Sequence, residues 1–161
     1  MKRQADRAAF TLIEVMMVVA ILGLTLTMGF PSFVRTLRRE GMGKVERGLV
    51  EACQSARSAA ILNNQFTYLV IRPQDRTFSV PGAYAAVDIP KDIVIDTIGV
   101  NFVPMEGGEE ARVRFAPNST SDEFIIILHG SDGSYRTIYL DCVTALPLVE
   151  NRAFNPYERE R

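Results

Sequence analysis

The chain has 161 residues, 47% of them apolar, with 18 basic against 19 acidic side chains, a net charge of −1 and a mean hydropathy of +0.06. A balance this close to neutral gives no global pull toward nucleic acid or acidic lipid. With one histidine, His129, and two cysteines, Cys53 and Cys142, in no C-x-x-C pair, the chain lacks the parts for most metal centres and catalytic triads.

Residues 1–9, "MKRQADRAA", form a short basic leader, and from Val15 to Val34 no residue is charged. Twenty such residues span roughly 30 Å as a helix, the thickness of a bilayer's hydrocarbon core, and predict one transmembrane helix. A secretory signal peptide would be shorter and end in a small-x-small site, which "TMGFPSF" does not offer. Pro31 predicts a kink near the outer end, because it removes a backbone donor. Lys2, Arg3 and Arg7 precede the run and Arg35, Arg38 and Arg39 follow it, so counting positive charges leaves its orientation open.

Glu14 stands just inside the leading edge of this run. A carboxylate within a membrane segment costs about 2–3 kcal/mol and is usually paired or functional. The plainer reading is an interfacial acid at a helix start, where it suits the helix dipole.

Beyond Pro31 the helical pattern continues. Val45, Leu49, Ala52, Cys53, Ala56 and Ala60 recur at spacings of three and four, with Lys44, Glu46, Arg47, Glu51 and Arg57 between them. Gly41, Gly43 and Gly48 predict a bend or fraying near 41–43, and Asn63-Asn64 a stop. Residues 10–63 as one helix would reach roughly 80 Å, too long for one small domain, so the inner half must meet lipid or other helices.

After Asn64 the pattern turns to strands: 67–72 and 76–80 around "PQD", one bent strand or two over 93–103, then 111–115, 123–128, 135–140 and 146–150. A long helix followed by antiparallel strands is an α+β fold, with the sheet packed on the helix's outer half. The expected organisation is a leader at 1–9, a membrane or filament-core helix at 10–34, its amphipathic continuation at 35–64, a β domain at 65–150 and a flexible charged tail at 151–161.

Candidate sites in the β domain have ordinary explanations. His129 ends a strand beside a turn. Asp132 lies in "SDGS", which lacks the alternating oxygen ligands of a calcium loop and reads as a tight turn. Asn118-Ser119-Thr120 fits a glycosylation sequon, but a turn after Pro117 suffices. The cysteines read as two buried free thiols, with a disulfide open if the domain lies outside the cytoplasm. In the tail "NRAFNPYERER", Glu158 and Glu160 interleave with Arg152, Arg159 and Arg161. This argues against a nucleic-acid partner. No catalytic constellation, cofactor site or metal site is expected.

The basic leader, "FTLIEV" and the apolar run together resemble the type III signal of type IV pilins and type II secretion pseudopilins. The resemblance implies cleavage between Ala9 and Phe10 by prepilin peptidase and methylation of the new amino terminus on Phe10. It also implies an assembly role for Glu14, the fifth mature residue, as partner of that amine. The family usually has glycine where Ala9 stands. Loss of residues 1–9 removes three basic side chains and one acid, leaving 15 basic against 18 acidic.

"VRFAPNSTSDEFIIILHGSDGSYRTIYLDCVTALPLVE" is similar to the C-terminal block of GspH-type minor pseudopilins and of related minor pilins (FimU/FimT-like). Phe115, Pro117 and Thr144 match, whereas Ser119 and Ala145 stand where glycine is typical. The resemblance implies a pilin-like fold and a structural subunit, not an enzyme. The subunit would sit single-pass in the inner membrane, its amino terminus cytoplasmic before processing and its β domain periplasmic. Its partners would be major and minor pseudopilins, the peptidase, an inner-membrane assembly platform and a secreted substrate. A minor type IV pilin and a simple anchored periplasmic binding domain are the alternatives.

Overall fold

A computed structural model describes residues 11–105 and 108–154 of the chain, the side chains of 26–40 excepted. The chain divides into two compact units, residues 1–37 and 38–161. A single helix, α1 (Leu12–Asn63), contributes to both.

Both ends of α1 are capped. Thr11 is the N-cap: its Oγ1 and its carbonyl accept from the Glu14 amide at 3.3 and 3.1 Å. At the other end Asn64 takes a left-handed φ of 50°. The Gln65 amide then donates to the Ala60 carbonyl and the Asn64 amide to that of Ile61. This is the Schellman arrangement, with asparagine in the place glycine usually holds. The expected fraying near 41–43 does not occur: α1 stays helical throughout. Met42 and Val45 are buried in that turn, and their packing outweighs the roughly 1 kcal/mol that each interior glycine costs.

The strands follow as β1 (Thr67–Arg72), β2 (Thr77–Val80), β3 (Tyr84–Asp88), β4 (Ile93–Val100), β5 (Val103–Pro104), β6 (Ala111–Phe115), β7 (Phe124–Gly130), β8 (Tyr135–Asp141) and β9 (Leu146–Glu150). They form two antiparallel sheets rather than the one expected, in the orders β3-β2-β1-β6 and β5-β4-β7-β8-β9. The 93–103 stretch resolves into β4 and β5. They are joined at Asn101-Phe102, where positive φ at both residues makes the I′-type turn that matches strand twist. β3 lies in a stretch where no strand was expected. The architecture is α+β and pilin-like.

One core joins the outer part of α1 to both sheets. It contains Val45, Leu49, Ala52, Cys53, Ala56 and Ala60 from α1, Leu69, Ile71 and Phe78 from the first sheet, and Phe124, Ile126, Leu128 and Ile138 from the second. All six predicted helix positions are buried. Polar ties flank this stripe. Glu46 pairs with Arg136 of β8 at 2.8 Å. Tyr84 Oη donates to Glu51 at 3.2 Å, and Ser55 Oγ to the Ala83 carbonyl at 3.0 Å.

The Arg76 guanidinium gathers the carbonyls of Ile89, Pro90 and Ile93, fixing the β3–β4 connection. Because the donor is charged and the acceptors are part-buried, each bond contributes about 1.5–3 kcal/mol.

Two glycines of α1 differ in what surrounds them. A Cβ on Gly48 would lie 3.0 Å from Cζ of the fully buried Phe78, whereas one on Gly43 would meet nothing within 4 Å. Gly43→Ala is therefore expected to stabilise the domain by about 0.5–1 kcal/mol through helix propensity. Gly48→Ala should lose most or all of that gain to the clash. Denaturant midpoints of the two variants check this, and equal gains would contradict the packing described.

Candidate functional site

The first turn of α1 carries the chemistry that the sequence singles out. Glu14 occupies the third helical position, and Thr11-x-x-Glu14 has the spacing of a capping box. The Thr11 half of that box is formed. A carboxylate in the first turn also faces the positive end of the helix dipole. The capping geometry and an assembly role are compatible, since the cap uses the Glu14 backbone and leaves its carboxylate exposed.

Every side chain from Thr11 to Thr25 is exposed. Leu12, Ile13, Met16, Met17, Val19 and Leu24 are all more than 60% accessible. The apolar surface runs right round the helix instead of forming a stripe, which suits surroundings that are apolar on every side. The polar Thr25 fits the same demand: its hydroxyl donates to the carbonyls of Leu22 and Ile21 at 2.9 and 3.1 Å, hiding within the helix. Glu14 is the one charged residue from Leu12 to Thr25.

Ala9 and Phe10, the expected cleavage pair, lie outside the described residues, as does the Pro31 side chain; α1 remains helical through position 31. Among the described residues no helix is long and apolar enough to cross a membrane. The described side chains at 12–25 extend only about 21 Å at 1.5 Å per residue. The expected span, Val15–Val34, runs on into side chains outside the described set.

In the β domain no group of three or more His, Cys, Asp or Glu residues among the described ones is arranged to hold a metal ion. The His129 ring stacks on Tyr135, with centroids 4.4 Å apart and planes within 6°. Asp132 Oδ1 accepts from the Ser134 amide and hydroxyl at 3.0 and 2.5 Å, closing the turn. Asn118 does the same for Thr120. These are Asx-type turns built from local bonds.

The two positions that depart from the GspH pattern keep glycine's backbone. Ser119 has φ 69° and Ala145 has φ 50°, both in the left-handed region. A non-glycine residue there costs roughly 1–2 kcal/mol. The cysteines differ from the expectation of two buried thiols. Both are free, but only Cys53 is buried, whereas Cys142 lies exposed in the β8–β9 turn. Burial pushes the Cys53 thiol up to about 12.

Three residues that matter were not singled out from the sequence. Thr11 could have been, since S/T-x-x-E before an apolar run marks a helix start. Arg76 and Thr137 had no local signal, because their partners lie 13 to 17 residues away in the chain.

Two outcomes follow from this geometry. Ser119→Gly should stabilise the domain by about 0.5–1 kcal/mol, the strain relieved less the extra entropy of the unfolded chain; an unchanged or lower melting temperature would contradict it. At pH 8 a maleimide should modify Cys142 within minutes and leave Cys53 unmodified until the chain is denatured. Peptide mass mapping reads both sites, and rapid labelling of Cys53 in the folded protein would refute the burial.

Residues 4–30 match the family model described as the prokaryotic N-terminal methylation motif. No curated protein and no solved structure matches the chain. The matched stretch contains Ala9, Phe10 and Glu14 and most of the exposed apolar helix. A motif of this kind implies processing by prepilin peptidase, a membrane-anchored amino terminus and assembly with other pilin-like subunits. Together with the α+β fold, it supports a type IV pilin- or pseudopilin-like protein.

Proposed function

We propose that the protein is a structural minor pseudopilin of a type II secretion system, GspH-like, acting at or near the tip of a short periplasmic pseudopilus. The observation that carries this reading is the methylation motif over residues 4–30 at the head of a helix whose outer part packs one apolar face into a core shared with both sheets. Cleavage between Ala9 and Phe10 creates a cationic, methylated amine. The Glu14 carboxylate of a neighbouring subunit, or of the same chain, pairs with it in apolar surroundings, where an unmatched charge is heavily penalised. The pair thereby favours one stagger between subunits. The exposed helix surface packs in the filament core, and the β domain faces neighbouring subunits or the secreted substrate.

The GspH-like assignment draws support from the left-handed φ at Ser119 and Ala145. Both positions stand where the resemblance has glycine, and both take the left-handed backbone that glycine favours. In this reading the chain performs no catalysis, needs no cofactor and does not bind nucleic acid. An assembly ATPase and the inner-membrane platform supply the work of extraction.

The role of Glu14 is tested with Glu14→Leu. Membrane insertion and cleavage should stay near wild type while incorporation into filaments falls at least tenfold, and normal incorporation would overturn the pairing. Deleting the gene in its host separates the machines. Loss of protein secretion with surface pili intact is the expected result. Loss of pili or twitching with secretion intact would make the protein a minor type IV pilin.

A further inference from the structure

Phe66 and Tyr68 stand two residues apart at the start of β1 and are 57% and 42% exposed. Leu69 and Ile71 of the same strand lie in the core under α1, so alternation places Tyr68 on the outer face of the first sheet. Across from Tyr68 in the β1–β6 register is Arg114. Its guanidinium lies over the Phe66 ring, 5.4 Å from the centroid, and is held by Asp122 at 3.3 Å.

Phe66 forms a wall shared by two cavities. One, of about 380 Å³, lies against Arg114, Asn118, Thr120 and Ser121. The other, of about 230 Å³, lies against Asn63, Gln65, Thr67 and Tyr68. Together they have the size of a small-ligand site. Among the described residues that line them there is no carboxylate, and the one cation, Arg114, is already paired. The remaining polar groups are carboxamides and hydroxyls. Asn118 Oδ1 accepts from the Thr120 amide and hydroxyl at 3.2 and 2.7 Å, which leaves the carboxamide NH2 as a donor. Ser121 Oγ is buried with no hydrogen-bond partner among the described residues, and such an atom marks a place that a ligand or water completes. Left-handed turns fix the rims, at Asn64 beside one cavity and at Ser119 beside the other. The Ala116 amide donates to the Thr120 carbonyl at 2.8 Å and the Ser121 amide to that of Cys142 at 3.0 Å.

We propose that this double cleft binds a neutral oligosaccharide. A sugar ring has an apolar C–H face and a rim of hydroxyls. The electron-rich face of an aromatic ring attracts the first, and carboxamides, which donate and accept together, match the second. Phe66, standing between the cavities, suits a chain of repeating units with one ring on each side. Other ligand classes find less here. An anion would need an unpaired cation, and Arg114 is engaged by Asp122. A peptide added as a strand would need the free side of β6, where Asp122 already takes the Arg114 amide and carbonyl. Because the rims are fixed by their own hydrogen bonds, little ordering entropy is lost on binding. The cleft lies within the β domain, so saccharide binding does not depend on the pseudopilin reading.

The test places the full chain, in detergent micelles, on an array of neutral oligosaccharides of hexose and N-acetylhexosamine units, with sulfated and sialylated glycans beside them. Saturable binding to a neutral glycan is expected, and it should not weaken as salt is raised. Phe66→Ala should weaken it at least about tenfold and Asn118→Ala about two- to tenfold, whereas Phe66→Tyr should retain it. Both side chains are exposed, so the variants should melt with the wild type, which separates lost binding from lost folding. In the wild type the side-chain amide resonances of Gln65 and Asn118 should shift along the same saturation curve. Binding confined to sulfated or sialylated glycans would overturn the neutral ligand. No binding across the array, resonance shifts only elsewhere in the chain, or Phe66→Ala binding as tightly as the wild type would overturn the site.

Discussion

The β domain depends on one stripe of small residues. Ala52, Cys53, Ala56 and Ala60 of α1 are completely buried in the core shared by both sheets. Small side chains let a helix approach a sheet closely, and here they let one helix serve two sheets at once. The larger Val45 and Leu49 fill the space nearer the helix middle, and Gly48 leaves room for the Phe78 ring. Close approach also brings polar groups on the stripe's flanks within reach of the sheets, so Glu46, Glu51 and Ser55 find partners there. The same helix begins with an apolar surface that faces outward on all sides. Its two ends therefore obey different rules, one buried by its own chain and the other requiring apolar partners from outside.

The sheet edges are handled so that they do not invite pairing. The free side of β6 is taken up by Asp122, which accepts from the Arg114 amide through its carboxylate and donates its own amide to the Arg114 carbonyl. β9 carries Pro147, and β5 is two residues long. On β3, Ala85 and Ala86 together stand opposite Ser79, a bulge that breaks the ladder. Each is a known way to blunt an edge. In the proposed assembly, edges guarded in this manner leave the helix and the sheet faces as the surfaces for neighbours. This fits a filament built by helix packing better than one built by strand addition.

The sequence made the helix stripe, its stop and most strands legible because those signals are local. Periods of three and four marked the residues that became the α1 core, and runs such as "TYLVIR" and "EFIIIL" marked β1 and β7. Signals that depend on distant partners were not legible. Two sheets form because β1 pairs with β6, at least 40 residues later, and β4 with β7, and no short-range pattern encodes that choice. β3 was missed because Ala85 and Ala86 are poor strand formers, held there by pairing and by Tyr84. Whether 93–103 makes one bent strand or two stayed open because "NF" lacks the glycine that normally announces positive φ. At the candidate site, the cost of Glu14 and the prepilin-like context were readable at once. The Thr11 cap is present in the letters, whereas the bonds from Thr137 to Arg152 and Phe154 are visible only in three dimensions.

The central claim is that Glu14 serves an amine that does not exist in the initial translation product. The mass of the amino-terminal peptide from protein isolated from its host membrane tests this most directly. The expected product begins at Phe10 and carries one methyl group on its amino nitrogen. A chain that still begins at Met1, with residues 1–9 attached, would contradict it.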